Sequence, residues 1–264
     1  MLKSRMSPME LNKLLPKLTG EQKNVVREIG FGSLLEIKLS SLDKMLTTYL
    51  VKNFDVYRCA LRLEKEEMLL TEDDVESRLG LPKGDIQVVE GNNSNATTEY
   101  NNLVEEWRVH WGIDSCSPLV KRLSEGIGER KDHGDMFKMD FVVFVVSNLF
   151  KGHAKWTSNF KILYSLMDMN NIKNLNWCGY IFKSLIDSVE KWTKTPTTFV
   201  TGPLIFLVRF AAEKRSGAYG RGKVLDIVRK PVANVENNET IGGKEKESNG
   251  VEVQVLVGDK AAMS

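Results

Sequence analysis

Side chains suited to nucleophilic catalysis or zinc binding are few in this sequence. The cysteines and histidines are Cys59, Cys116, Cys178, His110, His133 and His153. Cysteine catalysis needs a thiolate with a histidine partner, and zinc sites show short spacings such as C-x-x-C or H-x-x-x-H. Neither spacing occurs here. Cys178, in the apolar stretch "NWCGY", is therefore interpreted as a small core residue.

One segment comes close to a phosphate-binding loop. Residues 217–224, "GAYGRGKV", satisfy G-x-x-x-x-G-K, but Val224 stands where Ser or Thr would bind Mg²⁺. A phosphate-binding loop also follows a buried strand and opens a helix, whereas this segment follows a predicted helix. We expect a protein that is not an enzyme, with no catalytic residue, cofactor or bound metal.

The charge balance argues against a dedicated nucleic-acid-binding protein. In 264 residues, 37 Lys and Arg face 35 Asp and Glu, which leaves a formal charge of +2. A local basic run covers residues 214–230, and its cations are Lys214, Arg215, Arg221, Lys223, Arg229 and Lys230. The run could contact nucleic-acid phosphates or serve as a nuclear-import signal. The alternative is a solvated helix end followed by a linker.

The chain has no segment typical of secretion or membrane insertion. Its first residues contain scattered charges and no continuous apolar region. The most apolar stretch, residues 141–150, is about half the ~20 residues that a membrane span needs, so it predicts a buried core helix. We therefore expect no signal peptide and no membrane partner.

Apolar spacing predicts a mainly α fold, a helical bundle with a small β-hairpin. Thr19 and Gln22 fit a capping box that opens a first helix, and Ser40 or Ser41 can cap the next one. The second helix carries an apolar stripe formed by Leu42, Met45, Leu46, Tyr49 and Leu50. Two short runs around "EKEE" in residues 57–70 predict the hairpin. A continued helix is the alternative there, since Glu and Lys favour helices.

The stretch "TEDDVESRLGLPKG", residues 71–84, predicts a short helix with a defined start. The Thr71 hydroxyl can cap the helix while Asp74 occupies its third position. The acidic side chains of the first turn complement the positive end of the helix. Val75 and Leu79 are spaced to form the buried face.

The same stretch also contains a stop. Gly80 allows a left-handed C-cap and Pro82 prevents continuation of the helix. A polar, Asn-rich connection follows at residues 84–98, with at most one short strand at residues 86–89. This connection is the best internal boundary of the chain.

Helical spacing continues behind that boundary. One helical face would carry Tyr100, Leu103, Val104, Trp107 and Trp111. Ser117 and Pro118 read as the N-cap and first residue of a further helix, with a charged loop at residues 124–135. Asn176 is a predicted N-cap. The remaining helical segments are residues 136–150, 159–168, 176–191 and 202–214.

These elements predict three regions along the chain. The regions are an N-terminal extension at residues 1–18, a helical domain at 19–214 with a front part at 19–84 and a back part at 98–214, and a basic linker and disordered tail at 215–264. The tail is predicted to be disordered because it has no aromatic residue beyond Pro231 and is rich in Asn, Glu, Gly and Lys.

The motif-bearing segment "CALRLEKEEMLLTEDDVESRLGLPKG" resembles the plant mobile domain family, also labelled aminotransferase-like. In that family a short sheet element leads to a "T-x-x-D-V-x-x-x-L-G-L-P-x-G" helix and stop. The later segments, including "NWCGY" with Trp177, are similar in order, so the resemblance spans roughly residues 28–214. The residues that match the family motif are Thr71, Asp74, Val75, Leu79, Gly80, Leu81, Pro82, Gly84 and Trp177.

The resemblance implies a nuclear protein, since the family occurs in plant nuclear proteins linked to transposon silencing and genome maintenance and in proteins encoded by transposable elements. Some relatives carry a Ulp-type cysteine protease, but here no Gln shortly precedes a Cys. No pyridoxal phosphate site is recognisable either. This copy has Gly202–Pro203 where many relatives have Gly-Cys. The expected function is a non-enzymatic module that binds a nuclear protein partner; the alternative is nucleic-acid binding through residues 214–230.

Overall fold

A computed structural model describes residues 2–36, 42–63, 66–114, 116–153 and 155–216, with side chains up to residue 212. Helices account for most of the described chain, which confirms the expected mainly α fold. The tail predicted to be disordered lies outside the described residues from position 217 onward.

The α-helices are α1 (Pro8–Leu14), α2 (Gly20–Glu28), α3 (Lys44–Lys52), α4 (Glu72–Leu79), α5 (Thr98–Trp111), α6 (Val120–Glu129), α7 (Asp135–Val145), α8 (Trp177–Lys194) and α9 (Leu204–Ser216). A π-helical turn, Val146–Phe150, continues α7. The 3-10 turns are Leu15–Lys17, Gly32–Glu36, Phe160–Leu166 and Met169–Asn174. The strands are β1 (Lys3–Ser4), β2 (Phe54–Asp55), β3 (Ala60–Leu63), β4 (Glu66–Leu69), β5 (Ile86–Gln87), β6 (Leu175–Asn176) and β7 (Phe199–Val200).

The hairpin predicted for residues 57–70 is present as β3 and β4. The two strands are antiparallel, with Ala60 opposite Leu69 and Leu63 opposite Glu66, and β2 adds a third strand on the far side of β3. On the exposed face, Arg62 bridges Glu67 and Asp55. Leu61 and Leu63 are buried and alternate with that exposed arginine, as the period-2 pattern of a strand requires, while Ala60 at the start of the strand is buried as well.

Helix α7 and its π-helical turn form the centre of the core. Every side chain from position 139 to position 150 is buried, which confirms the core helix predicted from the apolar run. The helix packs against α2 and α6. None of the helices in the described residues is both long and apolar enough to cross a bilayer.

The first residues of the chain take part in this core. Leu11 and Leu14 of α1 are completely buried, and α1 packs against α6. Strand β1 pairs in parallel with β7, and Arg5 N donates to the Val200 carbonyl at 3.2 Å. The Arg5 guanidinium lies 3.6 Å from the ring centre of Phe199. Residues 2–18, predicted as an extension, are therefore integrated with the helices that follow.

The start and inner face of α3 differ from the prediction. Asp43, whose carboxylate accepts from Leu46 N at 2.7 Å, caps the helix, whereas Ser40 and Ser41 lie outside the described residues. Within the predicted stripe Met45 is exposed, and Thr47 and Val51 are buried instead. The buried face is thus rotated relative to the predicted stripe, because α3 packs against α9 and a partner helix decides which side is covered.

Helix α6 also differs from the prediction at both ends. It begins at Val120 without a side-chain cap, so the predicted cap at Ser117 is wrong. It continues through positions 124–129, which were predicted to be a loop. Its two glycines permit close packing: a Cβ at Gly126 would lie 2.5 Å from the Trp111 ring. Part of the segment predicted to be a charged loop is therefore a tight helix contact.

Candidate functional site at the motif seam

Helix α4 begins as predicted, with a capping box. Thr71 Oγ1 accepts a hydrogen bond from Asp74 N at 3.3 Å, and Asp74 Oδ2 accepts one from Thr71 N at 2.9 Å. Asp74 Oδ1 also accepts from Arg78 Nη1 at 3.0 Å. The reciprocal pair satisfies two backbone donors at the helix start. The polar side chains of this end of the motif therefore stabilise the helix itself.

The buried face and the stop of α4 also match the prediction. Val75 and Leu79 are buried, and Gly80 has φ +60°, the left-handed conformation. A Cβ at Gly80 would lie 2.8 Å from Ser33 Cβ, and Ser33 Oγ donates to the Leu79 carbonyl. Both the backbone conformation and the neighbouring residue thus require a glycine at this position.

After Gly80 the chain docks on the N-terminal end of α8. The Pro82 carbonyl accepts hydrogen bonds from Trp177 N at 3.1 Å and Cys178 N at 3.3 Å. Cys178 Sγ donates to the Leu81 carbonyl at 3.3 Å. The first N–H groups of a helix have no partner inside it, so the Pro82 carbonyl supplies an acceptor for two of them. We call the contact between residues 81–87 and 174–178 the motif seam.

Close approach and side-chain bonds hold the motif seam together. A Cβ at Gly84 would lie 1.9 Å from the Asn174 carbonyl oxygen, so only glycine fits without movement. Asn176 Nδ2 donates to Glu72 Oε2 at 3.0 Å. Asn176 Oδ1 accepts from Gly179 N at 2.8 Å, which confirms the predicted N-cap of α8. The seam therefore joins α4 to α8 through backbone and side-chain contacts.

Trp177 is the anchor of the seam on the α8 side. Its side chain is completely buried, and Nε1 donates to the Ile172 carbonyl at 2.8 Å. The ring meets Phe31 edge-on with the ring centres 5.1 Å apart. The structure thus brings the motif of residues 71–84 and Trp177 together, although almost a hundred residues of chain separate them.

The outer surface of the seam presents apolar side chains and a small cleft. Ile86, Val89 and Met167 are 46%, 41% and 41% exposed. Val89 N donates to Ser165 Oγ at 2.7 Å, and Ser165 Oγ donates to the Val89 carbonyl at 2.8 Å. Val89 therefore lies beside the segment that leads to Met167. We call these three side chains the seam face. The adjoining cleft of about 410 Å³ is lined by Pro82, Lys83, Gly84, Asp85, Ile86, Lys173 and Asn174.

Where the structure shows a hydrogen bond from a cysteine thiol, that cysteine has a structural role. Burial raises the pKa of Cys178 to about 12, and its thiol is bonded to a backbone carbonyl. Burial also raises the pKa of Cys59, while Cys116 is exposed. A thiol with a raised pKa is a poor nucleophile. Within the described ranges, no group of three or more His, Cys, Asp or Glu is arranged to hold a metal ion.

A buried carboxylate that the sequence analysis did not single out joins α5 to α7. Asp140 is 2% exposed, and its Oδ1 accepts from the indole nitrogens of Trp107 at 2.8 Å and Trp111 at 2.7 Å. Its Oδ2 lies 3.1 Å from His110 Nε2 and 3.4 Å from Arg130 Nη1. Paired and hydrogen-bonded in this way, a buried charge is tolerated. The signal in the sequence was a single Asp within an otherwise apolar run.

A second network, equally absent from the sequence analysis, surrounds Glu90. Its carboxylate accepts from Tyr180 Oη at 2.6 Å, Asn159 Nδ2 at 2.7 Å and Lys151 Nζ at 2.9 Å. Burial raises the pKa of Glu90, but these donors outweigh it and the net pKa is lowered. Burial and the carboxylate hold the pKa of Tyr180 well above its ordinary value. The network fixes the Asn-rich connection to α8 and to the end of the π-helical turn.

The predicted basic run cannot be placed in this arrangement. Lys214 and Arg215 belong to the last turn of α9. The other four cations, Arg221, Lys223, Arg229 and Lys230, lie outside the described residues.

Comparison with known proteins gives one match. A family model described as Domain of unknown function (DUF8566) matches residues 4–208. No curated protein and no solved structure matches the chain. The matched residues include α1 to α8, the motif seam and the first turn of α9. Since the match covers more than half of the chain, the protein belongs to the DUF8566 family.

Proposed function

We propose that the protein is a non-enzymatic protein-interaction module of the nucleus, related to plant mobile domain proteins and derived from or encoded by a transposable element. Its role is transposon silencing or genome maintenance. The nuclear role rests on the family resemblance of the motif at residues 71–84. The observation that supports the interaction role is the seam face, whose three apolar side chains are each at least 41% exposed.

The construction of the seam favours recognition over chemistry. The polar groups of the motif residues form hydrogen bonds with one another and with α8. These bonds hold the surrounding surface in place. Ile86, Val89 and Met167 remain exposed on that surface. Clustered apolar side chains with polar surroundings are typical of protein-binding patches. The expected partner therefore contributes apolar side chains that cover these three.

The test uses the full chain as bait in plant nuclei, with the variants Ile86→Asp and Met167→Asp. The matched control is Val109→Asp, because Val109 is 70% exposed on α5 and lies outside the seam face. The expected result is a nuclear partner that wild type and the control capture and that both seam variants lose. Equal capture by all four chains would reject the seam face, and exclusion of the tagged chain from nuclei would reject the nuclear role.

A second candidate function is nucleic-acid binding through residues 214–230. It is favoured by the composition of that run, which holds six basic residues and one acidic residue. Binding of this kind releases counterions and so weakens steeply with salt. The full chain is titrated with duplex and single-stranded DNA at two salt concentrations, and the affinity should fall when four cations are neutralised, namely Arg215, Arg221, Lys223 and Arg229.

The control for that titration neutralises four exposed lysines elsewhere, namely Lys13, Lys52, Lys121 and Lys194. This variant changes the net charge by the same amount and leaves the basic run intact. Equal losses in both variants would indicate a general charge effect, and salt-insensitive binding or none would exclude the nucleic-acid function.

A further inference from the structure

A second, larger cleft lies beside the Asn-rich connection. Its volume is about 810 Å³, within the range of small-molecule sites. One part of its wall is the Asn-rich connection with Asn92 and Asn93, and another part carries Arg108, Phe160 and Lys161. We call it the loop cleft. Neither the sequence motif nor the proposed function accounts for it.

The Asn-rich wall is held by defined bonds. Gly91 N donates to the Lys161 carbonyl at 2.8 Å, and a Cβ at Gly91 would lie 2.2 Å from the Tyr100 ring. Asn95 Oδ1 accepts from Asn92 N at 2.7 Å, and Asn95 Nδ2 donates to the Glu90 carbonyl at 3.1 Å. The connection is therefore fixed at Gly91, which lies against the Tyr100 ring, and along the turn of residues 92–95.

Two cations line the cleft together with the aromatic residue Phe160. The Arg108 guanidinium lies 5.2 Å from the ring centre of Phe160, and Lys161 follows in the chain with its side chain exposed. Arg108 Nε is buried and has no hydrogen-bond partner among the described residues. Stacking on the ring pre-orients the guanidinium, which leaves fewer rotamers to fix when a ligand binds.

The acidic side chain of the cleft compensates these cations weakly. Glu105 Oε2 lies 3.9 Å from Arg108 Nη1, and the Glu105 side chain is 65% exposed. Exposed pairs at that separation contribute little. The neighbouring carboxylate, Glu90, is already bonded to Lys151. The wall formed by Arg108, Phe160 and Lys161 therefore has a positive excess that faces solvent.

We infer that the loop cleft binds a phosphate group between Arg108 and Lys161. A guanidinium can donate two parallel hydrogen bonds to a phosphate, and an ammonium adds a second positive charge. Two cations match the charge of a phosphate monoester, which is close to −2 at neutral pH. The amide side chains of Asn92 and Asn93 can donate to further oxygens or to the group that carries the phosphate. The volume of the cleft admits a nucleotide or a phosphorylated side chain.

The test measures the affinity of the full chain for three probes: inorganic phosphate, adenosine monophosphate, and a phosphoserine peptide beside its unphosphorylated form. Binding should weaken by about tenfold in Arg108→Gln and in Lys161→Gln, because each variant removes hydrogen bonds to a charged group. Glu105→Gln should strengthen binding by about two- to fivefold, since it removes a competitor for Arg108. The control, Lys121→Gln on α6, should bind as wild type does.

The opposite signs of these effects separate a site from a general charge response. Preference for the nucleotide would identify a small-molecule ligand, and preference for the phosphopeptide would identify a modified protein; both support a phosphate site. Absence of binding to every probe, or equal binding by wild type, Lys161→Gln and Glu105→Gln, would overturn the inference. Lys161 and Glu105 are exposed, so these two variants keep the test decisive even if Arg108→Gln fails to fold. Ile86→Asp at the seam face should leave phosphate binding unchanged.

Discussion

At the motif seam the polar groups of the motif are bonded to one another or to α8, whereas in the loop cleft Arg108 and Lys161 have one weak acidic neighbour. Changes in the two regions should therefore have different consequences. Substitutions in the seam should change the free energy of unfolding. Substitution of the cleft cation Lys161 should mainly change affinity, because its side chain is exposed.

The largest effect is expected at the seam anchor. Trp177→Ala should lower the free energy of unfolding by about 3–5 kcal/mol, because it removes a completely buried ring and leaves a cavity beside Phe31. Denaturant unfolding of the full chain measures the loss. The control, Met45→Ala, alters an exposed side chain on α3 and should stay within about 0.5 kcal/mol of wild type. A similar small change for Trp177→Ala would refute the anchor role.

A smaller loss is expected from overpacking at the close approach. Gly84→Ala should cost about 1–3 kcal/mol, since the new Cβ would lie 1.9 Å from the Asn174 carbonyl oxygen. Gly134→Ala is the matched control, because a Cβ there meets nothing within 4 Å. Thermal melts of the two variants compare a constrained glycine with an unconstrained one. Equal melting temperatures would mean that the seam accommodates the added methyl group without loss of stability.

Helix caps allow a direct comparison of the two regions. Thr71 caps α4 at the seam, and Thr97 caps α5 beside the cleft by accepting from Tyr100 N at 3.2 Å. Each Thr→Ala change should cost about 0.5–2 kcal/mol. Thr71→Ala should cost more, because its capping box has a reciprocal bond from Asp74. A greater loss for Thr97→Ala, measured by denaturant unfolding, would contradict that ranking.

The smallest effect concerns pH. In the folded protein the hydrogen-bond donors around Glu90 lower its net pKa. The ionised carboxylate therefore stabilises the fold at pH values above the pKa that Glu90 has in the unfolded chain. That stability is lost as pH falls through the lowered folded value. Between neutral and acidic pH, the melting temperature of Glu90→Gln should therefore fall less steeply than that of wild type. Parallel curves would show that the Glu90 network contributes no pH-dependent stability.

Local signals in the sequence predicted the elements well. The capping boxes at Thr19 and Thr71 use partners three residues away, so their chemistry is readable without the fold. The same holds for the left-handed stop at Gly80 and the N-cap at Asn176. Where the prediction failed, at α3 and α6, packing against another helix decided the outcome.

Networks between distant residues could not be predicted in the same way. Asp140 meets Trp107 across 33 positions, and Glu90 meets Tyr180 across 90. Neither carboxylate belongs to a recognisable motif, and each acquires its partners only when several helices have packed. The loop cleft has the same origin, since Arg108 and Lys161 become neighbours through the stacking of Arg108 on Phe160.

The pairing of β1 with β7 has a consequence for synthesis of the chain. Arg5 is synthesised long before its backbone partner Val200 and its stacking partner Phe199. At ribosomal speeds of about 5–20 residues per second, the N-terminal strand waits on the order of 10–40 s for those partners. During that interval β1 can bind other parts of the chain. Slow translation before the codon of Val200 should therefore lower the yield of folded protein.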